Sequence, residues 1–174
     1  MNSTRWTLAI ASAIALALFT ILVVIPFMTT TLSDGVASYS QGNFAKAYKE
    51  LKPLADDGEP TAQFMLGEMF RMGQGVKKDE TTAVKWYKKA AEGGSPEGQY
   101  SLGMCFATGV GTEVDMISAY QWLSLVIFRL ASWQNERRTL AAETRTKLLG
   151  VMDQSDVEKA KALVFTWDKK FGGS

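Results

Sequence analysis

The chain has 174 residues, 47% of them hydrophobic, which is enough for one folded domain and too apolar for a disordered one. Formal net charge is +1, and apart from Arg5 the basic and acidic side chains balance at 18 each, all after residue 30, so there is no basic footprint for nucleic acid. With no histidine and one cysteine, Cys105, the chain has no histidine-based acid–base chemistry, Ser–His or Cys–His nucleophile pair, histidine-ligated metal or intramolecular disulfide.

Residues 1–30 stand apart. Between Arg5 and Asp34 lie 28 uncharged residues, and the run Thr7–Met28 is 22 residues long and strongly apolar. As a helix it spans roughly 33 Å, against a hydrocarbon core of about 30 Å. Pro26 falls near its far end, where a membrane helix tolerates it. The run predicts one N-terminal transmembrane anchor. The alternative is a cleaved secretory signal, for which the run is long and Thr29-Thr30-Thr31 a poor cleavage site. Arg5 precedes the run and no Lys or Arg follows before Lys46. The positive-inside rule therefore keeps the N-terminus in the cytoplasm and sends the rest across the inner membrane, to the periplasm in a bacterium. Cleavage would leave a secreted periplasmic domain. Ala9, Ala13 and Ala17 recur every fourth residue, a spacing that lets two membrane helices approach closely, although alanine is also common in anchors generally.

An internal repeat follows. Gln63 recurs as Gln99, Leu66-Gly67 as Leu102-Gly103, and Phe70 as Phe106. Gly73-x-Gly75 recurs as Gly109-x-Gly111, Asp79 as Asp115, Ala83 as Ala119 and Trp86 as Trp122, all 36 residues apart. One period earlier stand Ala47, Ala55, Gly58 and Pro60. Each unit reads as two helices. Ala62, Leu66, Met69 and Phe70 share one face of the first. Gly67 and Gly103 cost about 1 kcal/mol of helix propensity, which points to close approach of a neighbouring helix. Gly73 and Gly75 stop the first helix, and Asp79 suits the cap of the second. Ala83, Trp86, Tyr87 and Ala90 form the second apolar face, Gly93-Gly94 ends it, and Pro96 suits the next first turn. One such pair cannot bury its own apolar face, whereas stacked pairs can.

The passage Ala62-Gln63-Phe64-x-Leu66-Gly67, Gly73-Gln74-Gly75-Val76-Lys77-Lys78-Asp79 and Ala83-Val84-Lys85-Trp86-Tyr87-Lys88-Lys89-Ala90-Ala91-Glu92-Gly93-Gly94 resembles the Sel1-like repeat, a relative of the tetratricopeptide repeat. The resemblance is clear over residues 61 to 124, and residues 35–60 look like a first, partial repeat with a short first helix before Gly42-Asn43. It implies an all-α fold, a short right-handed superhelical solenoid of helix pairs that binds proteins or peptides without catalysis or cofactor. A cysteine-rich branch of the family has paired cysteines that this chain lacks.

Beyond residue 126 the pattern departs: Ile127, Leu130 and Ser132 stand where Ala91, Gly94 and Pro96 stood. A helix over Asn135–Leu149 and another from about Asp153 to Lys169 are predicted, the latter with an acidic start at Asp153 and Asp156. The expected organisation is an anchor or signal over 1–30, helical repeats over 34–132, and capping helices over 133–172.

Gly73-x-Gly75 lacks the third glycine and the preceding strand of a phosphate loop, and Asp56-Asp57 reads as a solvated turn. The aromatic residues Trp86, Tyr87, Tyr120 and Trp122 sit at helical spacing and read as core. Candidate partner contacts are places where the repeats differ on their first helices, which line the concave side of such stacks. These are Met65, Glu68, Met69 and Met72, facing Ser101, Met104, Cys105 and Thr108. Met69 and Cys105 also suit gap-filling in a core; a flexible apolar groove for a protein segment and a soft Cu(I) site are the functional alternatives. The reading is a membrane-anchored scaffold for a protein partner, as a subunit of a membrane complex, or a soluble periplasmic module for a small ligand or soft metal. Mass spectrometry of the native N-terminus separates them: an anchor keeps Met1 or Asn2, and a cleaved signal gives a start near Thr31.

Overall fold

The computed structural model describes residues 30–129 and 135–171. The predicted anchor, with Ala9, Ala13 and Ala17, lies outside them. Among the described residues no helix is long and apolar enough to cross a membrane. Those residues form helices α1 (Leu32–Ser40), α2 (Phe44–Asp56), α3 (Pro60–Met72), α4 (Glu80–Glu92), α5 (Pro96–Thr108), α6 (Met116–Arg129), α7 (Asn135–Leu149) and α8 (Gln154–Phe171).

The helix ends follow the local chemistry. Asp79 Oδ1 accepts from Thr82 N at 3.0 Å, and Asp115 Oδ1 does the same from Ser118 N at 3.0 Å, capping α4 and α6. Ser95 caps α5, and Asp153 Oδ1 accepts from Asp156 N at 2.8 Å at the start of α8. Gly73 and Gly109 close α3 and α5 in the left-handed conformation, at φ of 72° and 76°.

Consecutive helices from α1 to α7 pack against one another, and first helices touch the next first helices, α3 on α5 and α5 on α7. The core repeats as the sequence does. Ala47, Leu51, Ala55, Leu66, Met69 and Trp86 form one buried cluster. Ala83, Tyr87, Ala91, Leu102, Cys105 and Trp122, each 36 residues later, belong to the next. Ala119, Leu123 and Ala141 carry the same positions into a third. Each cluster joins a second helix to the first helix after it, so units close each other. Burying one leucine such as Leu66 or Leu102 contributes about 1.5–3 kcal/mol. Gln63 and Gln99 recur for a different reason: their Nε2 atoms donate to the carbonyls of Ala55 and Ala91, at 3.0 and 3.3 Å, sealing the end of the preceding helix.

Gly67 and Gly103 mark the close approach expected of them. A Cβ on Gly67 would lie 2.4 Å from the Tyr87 ring, and one on Gly103 2.9 Å from Leu123 Cγ. Gly35 meets Leu51 in the same way, at 2.5 Å. The first unit thus has the short first helix the sequence predicts, nine residues against thirteen in α3, and still makes the glycine contact of the later units. Its turn has three residues, 41–43, where the turn after α3 has seven, 73–79, and this four-residue difference displaces α1 from the 36-residue register.

At the C-terminal end α8 departs from the pairing rule and packs on α6. Its stripe of Ala160, Val164 and Trp167 covers α6, with Trp167 edge-on to Trp122 at 6.1 Å between ring centres. Helix α7 has only Ala141 and Leu148 fully buried, too narrow an apolar face to hold α8.

Gly67→Ala is expected to destabilise the fold by about 1–3 kcal/mol, because a rigid ring blocks the added methyl. Gly103→Ala should cost less, because the Leu123 side chain can shift and alanine gains helix propensity. Urea unfolding of the two variants checks the order, and equal costs would contradict it.

Candidate functional site

Two grooves run across the first helices. One, of about 370 Å³, lies between α3, α5 and α7 and includes Phe64, Glu68, Tyr100, Met104 and Arg137 in its lining. The other, also about 370 Å³, lies toward α1 and includes Val36, Tyr39, Thr61 and Met65. They meet at Phe64 and Glu68, which line both.

Helix geometry explains which side chains reach the grooves. Thr61, Phe64, Glu68 and Arg71 are spaced three, four and three apart and form one stripe along α3. The methionine row is rotated away from it by part of a turn. Met69 points toward α2, is fully buried, and packs with Ala47, Leu51 and Ala55. Met72 is the last residue of α3, is 54% exposed, and lines neither groove. Met69 is thus a correction to the candidate set, while Met72 is exposed at the helix end outside both grooves. Glu68, Ser101, Met104, Cys105 and Thr108 all line the α3–α5–α7 groove, and Met65 lines the other while packing into the first core cluster.

Glu68 organises the floor. Its carboxylate accepts from Arg71 Nη2 at 2.7 Å and Arg71 Nε at 3.2 Å, and also from the Tyr87 hydroxyl. Burial works against its charge, but the bonds from Arg71 and Tyr87 outweigh it and hold the carboxyl below the usual range. Burial first, then the Glu68 carboxylate, pushes the Tyr87 phenol well up, so it remains a donor. Burial pushes the Cys105 thiol up to about 11, so at neutral pH it is a packing group and a poor thiolate ligand. The residues considered for a soft metal are divided: Met69 lies in the first core cluster, Cys105 in the second, and Met72 lines neither groove. Glu68 ionised, Tyr87 protonated and Cys105 protonated leave this trio with no member poised to exchange a proton near pH 7.

Several groove residues escaped the sequence reading. Phe64 and Tyr100 recur one period apart, as packing residues do, yet both line the groove. The Glu68–Arg71 pair was visible as an i, i+3 carboxylate and guanidinium. Tyr87 reaches the groove from the second helix through its hydroxyl. Arg137 lies over the Phe64 ring at 6.0 Å, from a helix beyond the clear periodicity, where no sequence signal pointed to it.

Residues 60–95 and 96–125 each match the Sel1 repeat. The second match ends where the turn pattern changes, after Leu125. Comparison with curated proteins gave no match. Among solved structures, the chain is similar to a protective antigen present in uropathogenic Escherichia coli strains, which displays an SLR fold. The identity is 28%, over 80% of this chain and 29% of that one, with a TM-score of 0.68. It is also similar to a Sel1 repeat protein from Oxalobacter formigenes, at 26% identity over 62% of this chain and 44% of that one, with a TM-score of 0.57. The chain thus spans less than half the length of either.

Acid should weaken the fold through Glu68. Its folded pKa lies below the ordinary glutamate value of about 4.3, so its contribution is present above that value and is lost as pH falls through the folded one. The stability gap between wild type and Glu68→Gln, measured by denaturant at pH 7 and pH 3, should narrow in acid. Tyr87→Phe should cost about 1.5–3 kcal/mol at pH 7 by removing a donor to a charged acceptor. An unchanged gap would contradict the assignment.

Proposed function

We propose that this chain, whose residues 60–95 and 96–125 match the Sel1 repeat, is a membrane-anchored scaffold that holds a protein partner in the grooves across α3, α5 and α7, as an accessory or assembly subunit of a membrane complex. The observation that carries this reading is the contrast between the two faces of the repeat. Frame positions such as Ala47 and Ala83, Leu66 and Leu102, and Gly67 and Gly103 keep their residue from unit to unit, while groove positions change: Met65 to Ser101, Glu68 to Met104. A surface that varies on a constant frame suits a specific ligand.

Thr7–Met28 supports the anchor, being long enough to span a bilayer with Arg5 on its cytoplasmic side. Both similar solved chains come from bacteria, in which the far side of the inner membrane is the periplasm. The groove itself supports a scaffold over an enzyme, because Glu68, Arg71 and Tyr87 are engaged with one another and Glu68, Tyr87 and Cys105 are held away from neutral titration.

The full chain, purified from its native membrane in mild detergent, should bring a stoichiometric partner protein. Met65 packs into the core, so a charge there tests folding. Met104→Glu and Val110→Glu place a charge in the groove, the second on a 40% exposed turn residue. Both should reduce partner recovery about tenfold or more at unchanged helical content. Undiminished recovery with both variants would contradict the groove assignment.

A further inference from the structure

The groove between α3, α5 and α7 carries an unbalanced charge. Its carboxylate, Glu68, is engaged by Arg71 through two nitrogens and by Tyr87. Its second guanidinium, Arg137, is exposed, sits with its carbon 6.0 Å from the centre of the Phe64 ring, and forms no ion pair among the described residues. Beside it Tyr100 and Met104 form an apolar wall that continues past Phe64 toward Met65 and Val36. An occupant of this groove therefore meets the positive charge of Arg137 beside the aromatic and thioether surface of Phe64, Tyr100 and Met104, and the carboxylate of Glu97 lies in the adjoining groove, beyond Phe64.

We propose that this groove receives an extended protein segment with an aspartate or glutamate side chain next to a bulky apolar one. The carboxylate meets Arg137, and the apolar side chain lies against Phe64, Tyr100 and Met104. This rests on the protein-binding reading of the groove and adds the chemistry of the partner. Charge complementarity selects an acid, because a basic residue would face Arg137 with Glu68 already saturated. A single guanidinium suits a carboxylate; phosphorylated segments are usually held by arginine clusters, and Arg71 is committed to Glu68. Two grooves of about 370 Å³ joined at Phe64 and Glu68 have room for a few side chains in a row. An extended segment sets successive side chains along such a line, at about 3.3 Å per residue.

The test is selection of a randomised, phage-displayed peptide library on the full chain in detergent micelles, with Arg137→Glu, Met104→Glu and Val110→Glu as parallel targets. Selected peptides are resynthesised with free and amidated C-termini for polarisation measurements. Wild type should enrich Asp or Glu beside Leu, Ile, Phe or Met, and binding should weaken on the order of tenfold when that acid becomes Lys. Arg137→Glu should reverse the preference toward Lys or Arg while melting like wild type, because the side chain is exposed. Apolar enrichment without an acid, or an acid preference that survives Arg137→Glu, overturns the charge assignment and leaves the groove as a protein-binding face. Binding lost on amidation means that the carboxylate is a chain terminus and overturns the side-chain assignment. No enrichment, or enrichment unaffected by both groove variants, overturns the groove reading and this inference together.

Discussion

Everything in this molecule depends on apolar faces that one helix pair cannot close by itself. The second helix of a unit offers two alanines and a larger residue, as in Ala47, Leu51 and Ala55 or Ala83, Tyr87 and Ala91. The first helix of the following unit brings Leu66 or Leu102 against them. Small residues on one side allow close approach, and the leucine on the other fills the space. Glycine at 67 and 103 then lets the second helix of the same unit come down onto the first. Cohesion is thus local in sequence and repeated in space, as expected of a solenoid.

The groove follows from that arrangement. Packing consumes two faces of each first helix and turns a third, only partly engaged in the core, toward the groove. On α3 this is the stripe of Thr61, Phe64, Glu68 and Arg71, and on α5 it includes Tyr100, Ser101, Met104 and Thr108. Tyr87 links frame and groove: its ring fills the space above Gly67, and its hydroxyl holds Glu68 in the groove floor. A substitution there would disturb stacking and recognition together. At Arg137 or Val110 the two can be separated.

The repeat was legible because its core is built from side chains whose type is dictated by space. Leu66 and Leu102, Gly67 and Gly103, and Asp79 and Asp115 recur since each answers the same geometric demand. The first unit was harder to read: a turn four residues shorter moves Gly35 out of register although it meets Leu51 as Gly67 meets Tyr87. The groove was legible only in part. A row of methionines at helical spacing marks a face, but nothing in the spacing distinguishes the buried side of that face from the open one. Met69 fell on the buried side, and Arg71 and Phe64, a fraction of a turn away, fell on the open one. Arg137 was invisible, because its place over Phe64 depends on how α7 docks against α5, which no repeat pattern encodes. The packing period nevertheless reaches into α7, where Ala141 takes the position of Met69 and Cys105.

Hydrogen exchange across the full chain after Leu102→Ala gives the most direct measurement of this dependence between units. Leu102 joins α5 to the cluster that holds Ala83, Tyr87 and Trp122, and its truncation costs about 2–5 kcal/mol in a packed core. Stacked, mutually closing units predict that amide protection drops in α4, α5, α6 and α8 and persists in α1 and α2. Loss confined to α5, or uniform loss along all the described helices, would contradict it.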